Sequence, residues 1–172
     1  MKLTTRGRYA VTAILDVAMH STRGPVSLAE VAERQRLSLS YLEQLFAPLR
    51  RHGLVRSSRG PGGGYRLNRD AAEITVADVI LAVDEPVDVT RCGGLVNCNQ
   101  DSRCLTHDLW VELSRQMQDF LRARSLADVL QRHLEARGEA PNAPAWQQEG
   151  RPSRRTIPIT AAPAQAAGGG EV

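Results

Sequence analysis

Three cysteines and a histidine crowd into sixteen positions of this 172-residue chain: Cys92, Cys98, Cys104 and His107, spaced six, six and three apart. Thiolate and imidazole are soft to borderline donors, suited to zinc, copper(I) or an iron–sulfur cluster. The residues between them, Gly-Gly-Leu-Val-Asn and then Asn-Gln-Asp-Ser-Arg, are mostly small and polar, and such a loop can wrap around a metal at little steric cost. Three is an odd number in a tight cluster, which makes a poor disulfide framework. Structural zinc sites usually bring cysteines in close pairs. Here no two are closer than six residues, which favours a bulkier 2Fe-2S cluster and leaves zinc open. A 2Fe-2S cluster needs four protein ligands, and three cysteines with one histidine supply them. The histidine must be neutral to ligate, so assembly is expected to depend on pH.

The elements around this group are read from periodicity. Residues 84–107 show none and are expected to form a loop. From Asp108 to Arg124 apolar residues recur at Leu109, Leu113, Met117, Phe120 and Leu121, the stripe of a long helix that needs a partner. Cys104 and His107 then straddle its start and are able to face one site. A last helix is expected from Ser125 to Ala136.

The N-terminal part reads differently. Residues 6–20 carry Tyr9, Ala10, Ala13, Ile14, Val17 and Ala18 at helical spacing. Gly24-Pro25 marks a turn. Ser27 and Glu30 have the spacing of a capping box and open a short helix. Ser38 or Ser40 opens the next, Ser40 and Glu43 again having that spacing, with Gly53 as its stop. Pro48 falls inside it and is expected to shorten or kink it. Leu54-Val55 and Tyr65-Arg66-Leu67 read as two short strands around a glycine-rich hairpin, and residues 75–83 as a further helix. Two short helices followed by a basic hairpin are the pattern of a winged helix-turn-helix. The expected fold is therefore mainly α: a winged helix-turn-helix with a two-stranded wing, a long helix whose apolar stripe needs a partner, and a cluster-binding loop.

Charge agrees with that pattern. Residues 1–67 hold 11 Lys+Arg against 4 Asp+Glu, whereas the remaining 105 residues hold 11 against 15. A basic N-terminal half is the footprint of a phosphate backbone. In a helix-turn-helix the start of the second helix meets base edges, which places Ser38, Ser40, Tyr41, Glu43 and Gln44 there. Gln suits adenine and Glu accepts from cytosine. Arg56, Arg59 and Arg66 surround the Gly-Pro-Gly-Gly-Gly of the wing, where arginine is suited to the minor groove. No Gly-Lys-Ser/Thr follows that loop, which excludes a Walker phosphate loop.

The N-terminus does not read as a signal peptide, its apolar stretch being cut by Asp16, and no run approaches the length of a membrane span. A reducing cytoplasm is expected. Beyond Gly138 the chain is rich in Pro, Ala, Gly and Gln, and a disordered tail over 138–172 is expected. No nucleophile, base and orienting acid converge, so an enzyme is not expected. A ferredoxin-like electron carrier leaves residues 1–67 without a role.

The segments LTTRGRYAVTAILDVA, SLSYLEQLF, RGPGGGYRL, DVTRC and CLTHDLW resemble the bacterial iron–sulfur cluster regulators of the winged-helix type over about residues 1–135. The resemblance implies a homodimer binding promoter operators in double-stranded DNA, supplied by iron–sulfur cluster donor proteins, with cluster ligands at Cys92, Cys98, Cys104 and His107. It implies recognition-helix contacts at Ser40, Tyr41, Glu43 and Gln44 and a wing contact at Arg59. It further implies repression of cluster-biogenesis genes in the loaded form, with activation at some sites, and Glu43 as the residue that separates two classes of operator. The expected organisation is 1–83 DNA-binding, 84–107 cluster loop, 108–137 dimerisation helices and 138–172 tail. A zinc-stabilised regulator, or one sensing redox state or nitric oxide through the cluster, is the alternative.

Overall fold

The computed structural model describes residues 4–21, 24–85, 87–90, 92–99 and 102–138; the expected tail lies almost wholly outside them. Six helices and one hairpin follow in order among these residues: α1 (Thr5–His20), α2 (Leu28–Gln35), α3 (Leu39–Arg51), β1 (Val55–Ser58), β2 (Gly64–Leu67), α4 (Val76–Ala82), α5 (His107–Arg122) and α6 (Leu126–Ala136).

Local signals explain most of the boundaries. Ser27 and Glu30 form a full capping box at α2, and Thr75–Asp78 and Ser125–Asp128 do the same at α4 and α6. Each satisfies orphan amides that a helix start otherwise leaves to water. The expected box at Ser40 does not form. Ser38 is the N-cap of α3, with no side-chain cap bond, and Ser40 already lies inside the helix. Its hydroxyl meets that of Ser38 at 2.9 Å instead. Pro48 does not shorten α3, which runs on to Arg51 with the proline ring buried. A proline removes one backbone donor, and its burial beside Leu45, Phe46 and Leu49 offsets that loss.

The core is aliphatic, with one large aromatic. Ala10, Ala13, Ile14 and Val17 of α1 meet Leu42, Leu45, Phe46 and Leu49 of α3, with Leu54, Val55 and Ile74 closing the end. Phe46 packs edge-on to Tyr65 of the wing, ring centres 4.9 Å apart. The small residues of α1 let α2 and α3 approach closely. Beneath them Asp16, its side chain fully buried, accepts from Arg34 Nη2 at 2.6 Å and from Gln35 Nε2 at 2.6 Å, tying α1 to α2.

The wing is antiparallel, with Val55 opposite Leu67 and Ser58 opposite Gly64. It is also held from its other side. Val26 donates to the Tyr65 carbonyl at 2.9 Å and accepts from the Tyr65 amide at 2.7 Å. Gly64 permits this approach, since a β-carbon there would run into the Val26 backbone.

Two long-range features were not expected from periodicity. Residues 108–137 are expected to be dimerisation helices, and Leu126 and Ala127 of α6 lie in the main core with α1. The stripe of α5 is also divided. Met117 and Leu121 pack with Val76, Ile80 and Val87 in a second cluster, whereas Leu109 and Phe120 remain 61% and 57% exposed.

Candidate metal centre and nucleic-acid interface

The sixteen-residue loop brings most of its donors together at the start of α5. His107, the first residue of that helix, is buried. Its Nδ1 lies 3.6 Å from Cys92 Sγ and 3.5 Å from Cys98 Sγ. These three donor atoms all lie within 4.8 Å of one another. Cys104 is beside them but its sulfur turns toward Thr106 Oγ1, 3.9 Å away, while its amide donates to Cys98 Sγ at 3.2 Å. All three thiols are free and half-buried. The sequence therefore predicts four converging donors, and the structure brings three into one cluster with the fourth at its edge.

The donors line a cleft of about 540 Å³ with Val89, Thr90, Thr106, Trp110 and Leu113. The set fits a thiophilic metal or an iron–sulfur cluster: three sulfurs, one imidazole nitrogen facing them, and apolar walls. Its protons are unevenly held. The Cys104 sulfur raises the Cys98 thiol above its ordinary value, and the Cys98 thiol in turn holds Cys104 below its own. At Cys92 burial works against the thiolate, but amides of Gly94 and Val96 outweigh it and the thiol falls below its ordinary value.

Residues outside the predicted set shape the cleft. Trp110 Nε1 donates to Thr106 Oγ1 at 3.1 Å. Asp88 accepts from the Thr90 amide at 2.7 Å and the Thr90 hydroxyl at 3.0 Å, and Ser114 of α5 reaches the same carboxylate at 3.1 Å. The Asp88-Val89-Thr90 sequence carries a signal for the first of these, since Asp readily bonds the amide two residues on. Nothing local points to Ser114.

The second candidate surface lies on α3 and the wing. Ser38, Ser40, Glu43 and Gln44 are exposed and Tyr41 is half-buried. Tyr41 is steadied edge-on by Tyr9 of α1, ring centres 6.1 Å apart. Leu39, 43% exposed in the same turn, is an apolar neighbour outside the predicted set. Arg59 stands exposed at the wing tip beside Arg56. The structure thus sets all six predicted residues on α3 and the hairpin.

A helix-turn-helix with a basic wing, carrying a thiol-rich loop at the start of a long helix, is a DNA-binding transcription regulator and not an enzyme. The chain belongs to the Rrf2 family, described as iron-dependent transcriptional regulators, which it matches over residues 3–132. It is 53% identical over 165 residues to the HTH-type transcriptional regulator IscR of Photorhabdus laumondii, covering 95% of this chain and 100% of that protein. It is 61% identical over 130 residues to IscR of Xenorhabdus nematophila, covering 76% and 79%. Among solved structures it is similar to T. potens IscR, with TM-score 0.66, 38% identity and coverage of 79% and 90%. It is also similar to CymR, the global cysteine regulator of B. subtilis, with TM-score 0.67, 32% identity and coverage of 77% and 98%. Among the described residues no helix is long and apolar enough to cross a membrane.

Proposed function

We propose that this regulator holds a 2Fe-2S cluster on Cys92, Cys98, Cys104 and His107 and reports cluster supply to the promoters it binds. The observation that carries the reading is the meeting of Cys92 Sγ, Cys98 Sγ and His107 Nδ1 within 4.8 Å in a protein of this family. The bound cluster supplies a charged, ordered centre that the free loop lacks. Cys104, whose amide donates to Cys98 Sγ at 3.2 Å, is the fourth donor in this reading.

In this reading the protein is a cytoplasmic homodimer. The outer face of α5, with Leu109 and Phe120, is the surface that a second copy covers. Ser38, Ser40, Tyr41, Glu43 and Gln44 read the major groove, and Arg59 enters the minor groove. Loaded protein represses genes of cluster assembly and activates at some sites, and it receives its cluster from iron–sulfur donor proteins. Ligation ties Cys98 and Cys104 to the Cys92–His107 end of the loop beside α5 and so shifts the population of DNA-reading geometries.

The test is anaerobic purification with assay of iron, acid-labile sulfide and visible absorption, followed by operator binding of loaded and metal-free protein. Two irons and two sulfides per chain, with colour lost in Cys92→Ala, support the reading. Zinc without sulfide overturns it in favour of a zinc-stabilised regulator, and equal affinity of both forms for every operator overturns the sensing role.

A further inference from the structure

Ser114 is one of only two buried residues of α5 among those described; the other is His107. They stand seven positions apart, two turns along one helix face. A helix serine commonly satisfies itself on the carbonyl four residues back, and Ser114 does approach that of Trp110 at 2.8 Å. That bond alone needs no outside partner. Yet Ser114 Oγ also accepts the Val89 amide at 3.0 Å and lies 3.1 Å from Asp88 Oδ1. One turn further on, Gln118 Nε2 donates to the Val87 carbonyl at 3.1 Å. Residues 87–89 are thus laid along the face of α5 that begins with His107.

The chain of bonds continues to the loop. Asp88 fixes Thr90 through its amide and its hydroxyl. Thr90 Oγ1 then accepts the Gly94 amide at 3.2 Å, and the turn it clasps is closed by Leu95 N on the Cys92 carbonyl at 3.0 Å. Cys92 sits inside that clasp. The first and last residues of the donor set therefore hang from the same rigid rod: His107 directly, and Cys92 through Thr90, Asp88 and Ser114.

We infer that Ser114 and Asp88 are positioning residues that hold Cys92 at ligating distance from His107 before any metal arrives. The inference rests on the cluster reading above for its consequence, and on the hydrogen-bond chain alone for its mechanism. A ligand turn held in place in the metal-free protein loses less chain entropy on ligation and rebinds before a partly detached metal escapes.

The test uses full-length protein and the variants Ser114→Ala, Ser114→Thr and Asp88→Asn, each loaded anaerobically with ferric iron and sulfide. The half-life of visible absorption is followed under excess EDTA. Ser114→Ala is expected to shorten it about tenfold, within the usual range for partners of metal ligands. Ser114→Thr, which keeps the hydroxyl, is expected to restore most of it, and Asp88→Asn to fall between. A second readout needs no cluster: in metal-free Ser114→Ala, amide exchange at Val89 and Gly94 rises at least several-fold while amides of α1 to α3 keep their rates. Unchanged half-lives in both Ser114→Ala and Asp88→Asn overturn the inference, as does unchanged exchange at Val89 and Gly94. A wild-type protein that takes up zinc and no sulfide sinks the cluster reading instead. The same comparison of half-lives, followed as zinc release, then decides the anchor.

Discussion

The Glu85 carboxylate closes over the start of α1 at Gly7, where a β-carbon would collide with Glu85 Oε2. Glu85 is 6% exposed, and its two oxygens accept the amides of Thr4 and Gly7. A buried carboxylate at a helix N-terminus meets orphan amides and the positive end of the helix dipole together. The segment leaving α4 toward the thiol loop is thereby fastened to the first turn of the DNA-binding domain.

Replacing a helical glycine by alanine ordinarily stabilises by about 0.5–1 kcal/mol. Gly7→Ala is expected to do the opposite, costing about 1–3 kcal/mol through overpacking and displacement of Glu85. Urea unfolding of the metal-free protein measures it. In a Glu85→Ala background the same change should become neutral or favourable, and additive effects of the two substitutions would show that the contact carries no coupling.

Asp16→Ala removes a fully buried carboxylate and leaves the Arg34 guanidinium, 32% exposed, without its partner. Breaking one side of such a pair costs about 3 kcal/mol, at the lower end of the usual range because Arg34 still reaches water. Thermal unfolding should fall accordingly. Operator affinity of the fraction that remains folded should not change, because the ion pair joins α1 to α2 and includes no residue of α3 or the wing.

The thiols of the metal-free protein should differ in reactivity. Cys104 and Cys92 lie below the ordinary thiol value and Cys98 above it. Thiolate is the reactive form. Limiting iodoacetamide near neutral pH, read by mass spectrometry of peptides, should label Cys92 and Cys104 before Cys98. In Cys104→Ser the Cys98 sulfur loses the neighbour that raises it and should react faster.

Asp88 is held below the usual carboxylate range, first by the Thr90 amide and then by the Thr90 and Ser114 hydroxyls against the effect of burial. A carboxyl depressed in the folded state stabilises above its unfolded value of about 3.9 and loses that contribution as the pH falls through the lower folded value. The thermal stability lost in Asp88→Asn should be complete at neutral pH and shrink below about pH 4. A penalty independent of pH would assign it to packing.

On DNA, Arg59→Ala should lower the slope of log affinity against log salt by about one. Gln44→Ala should cost about 1–3 kcal/mol at a single base position and leave the salt slope unchanged. Titrating operator fragments across a salt series separates the two.

Much of this architecture was legible because its signals are local. The Ser27–Glu30 box, the apolar stripe of α1 and the cysteine spacing each lie within a few turns of chain. What the sequence concealed is long-range. Ser114 and Asp88 are 26 positions apart, and Glu85 and Gly7 are 78 apart, so no periodicity announces either pair. Two serines are able to open α3: Ser40 has Glu43 at box spacing whereas Ser38 has Tyr41, and packing of Leu42 and Leu45 into the core sets the helix phase that makes Ser38 the cap. The return of Leu126 to α1 was hidden because the stripe of a core helix and that of an interface helix read alike.

The bridge from Val26 to Tyr65 makes the wing a third rung shared with the segment that enters α2. With Val55 held opposite Leu67 on the other side of β2, the base of the hairpin is bonded on both sides. Recognition helix and wing are consequently two prongs of one fork with a fixed span. With α3 and the wing reading DNA as proposed, such a fork measures the phase between neighbouring grooves. An operator should tolerate base changes between the two contacted stretches far better than the gain or loss of one base pair, which displaces one groove from its prong by about 3.4 Å.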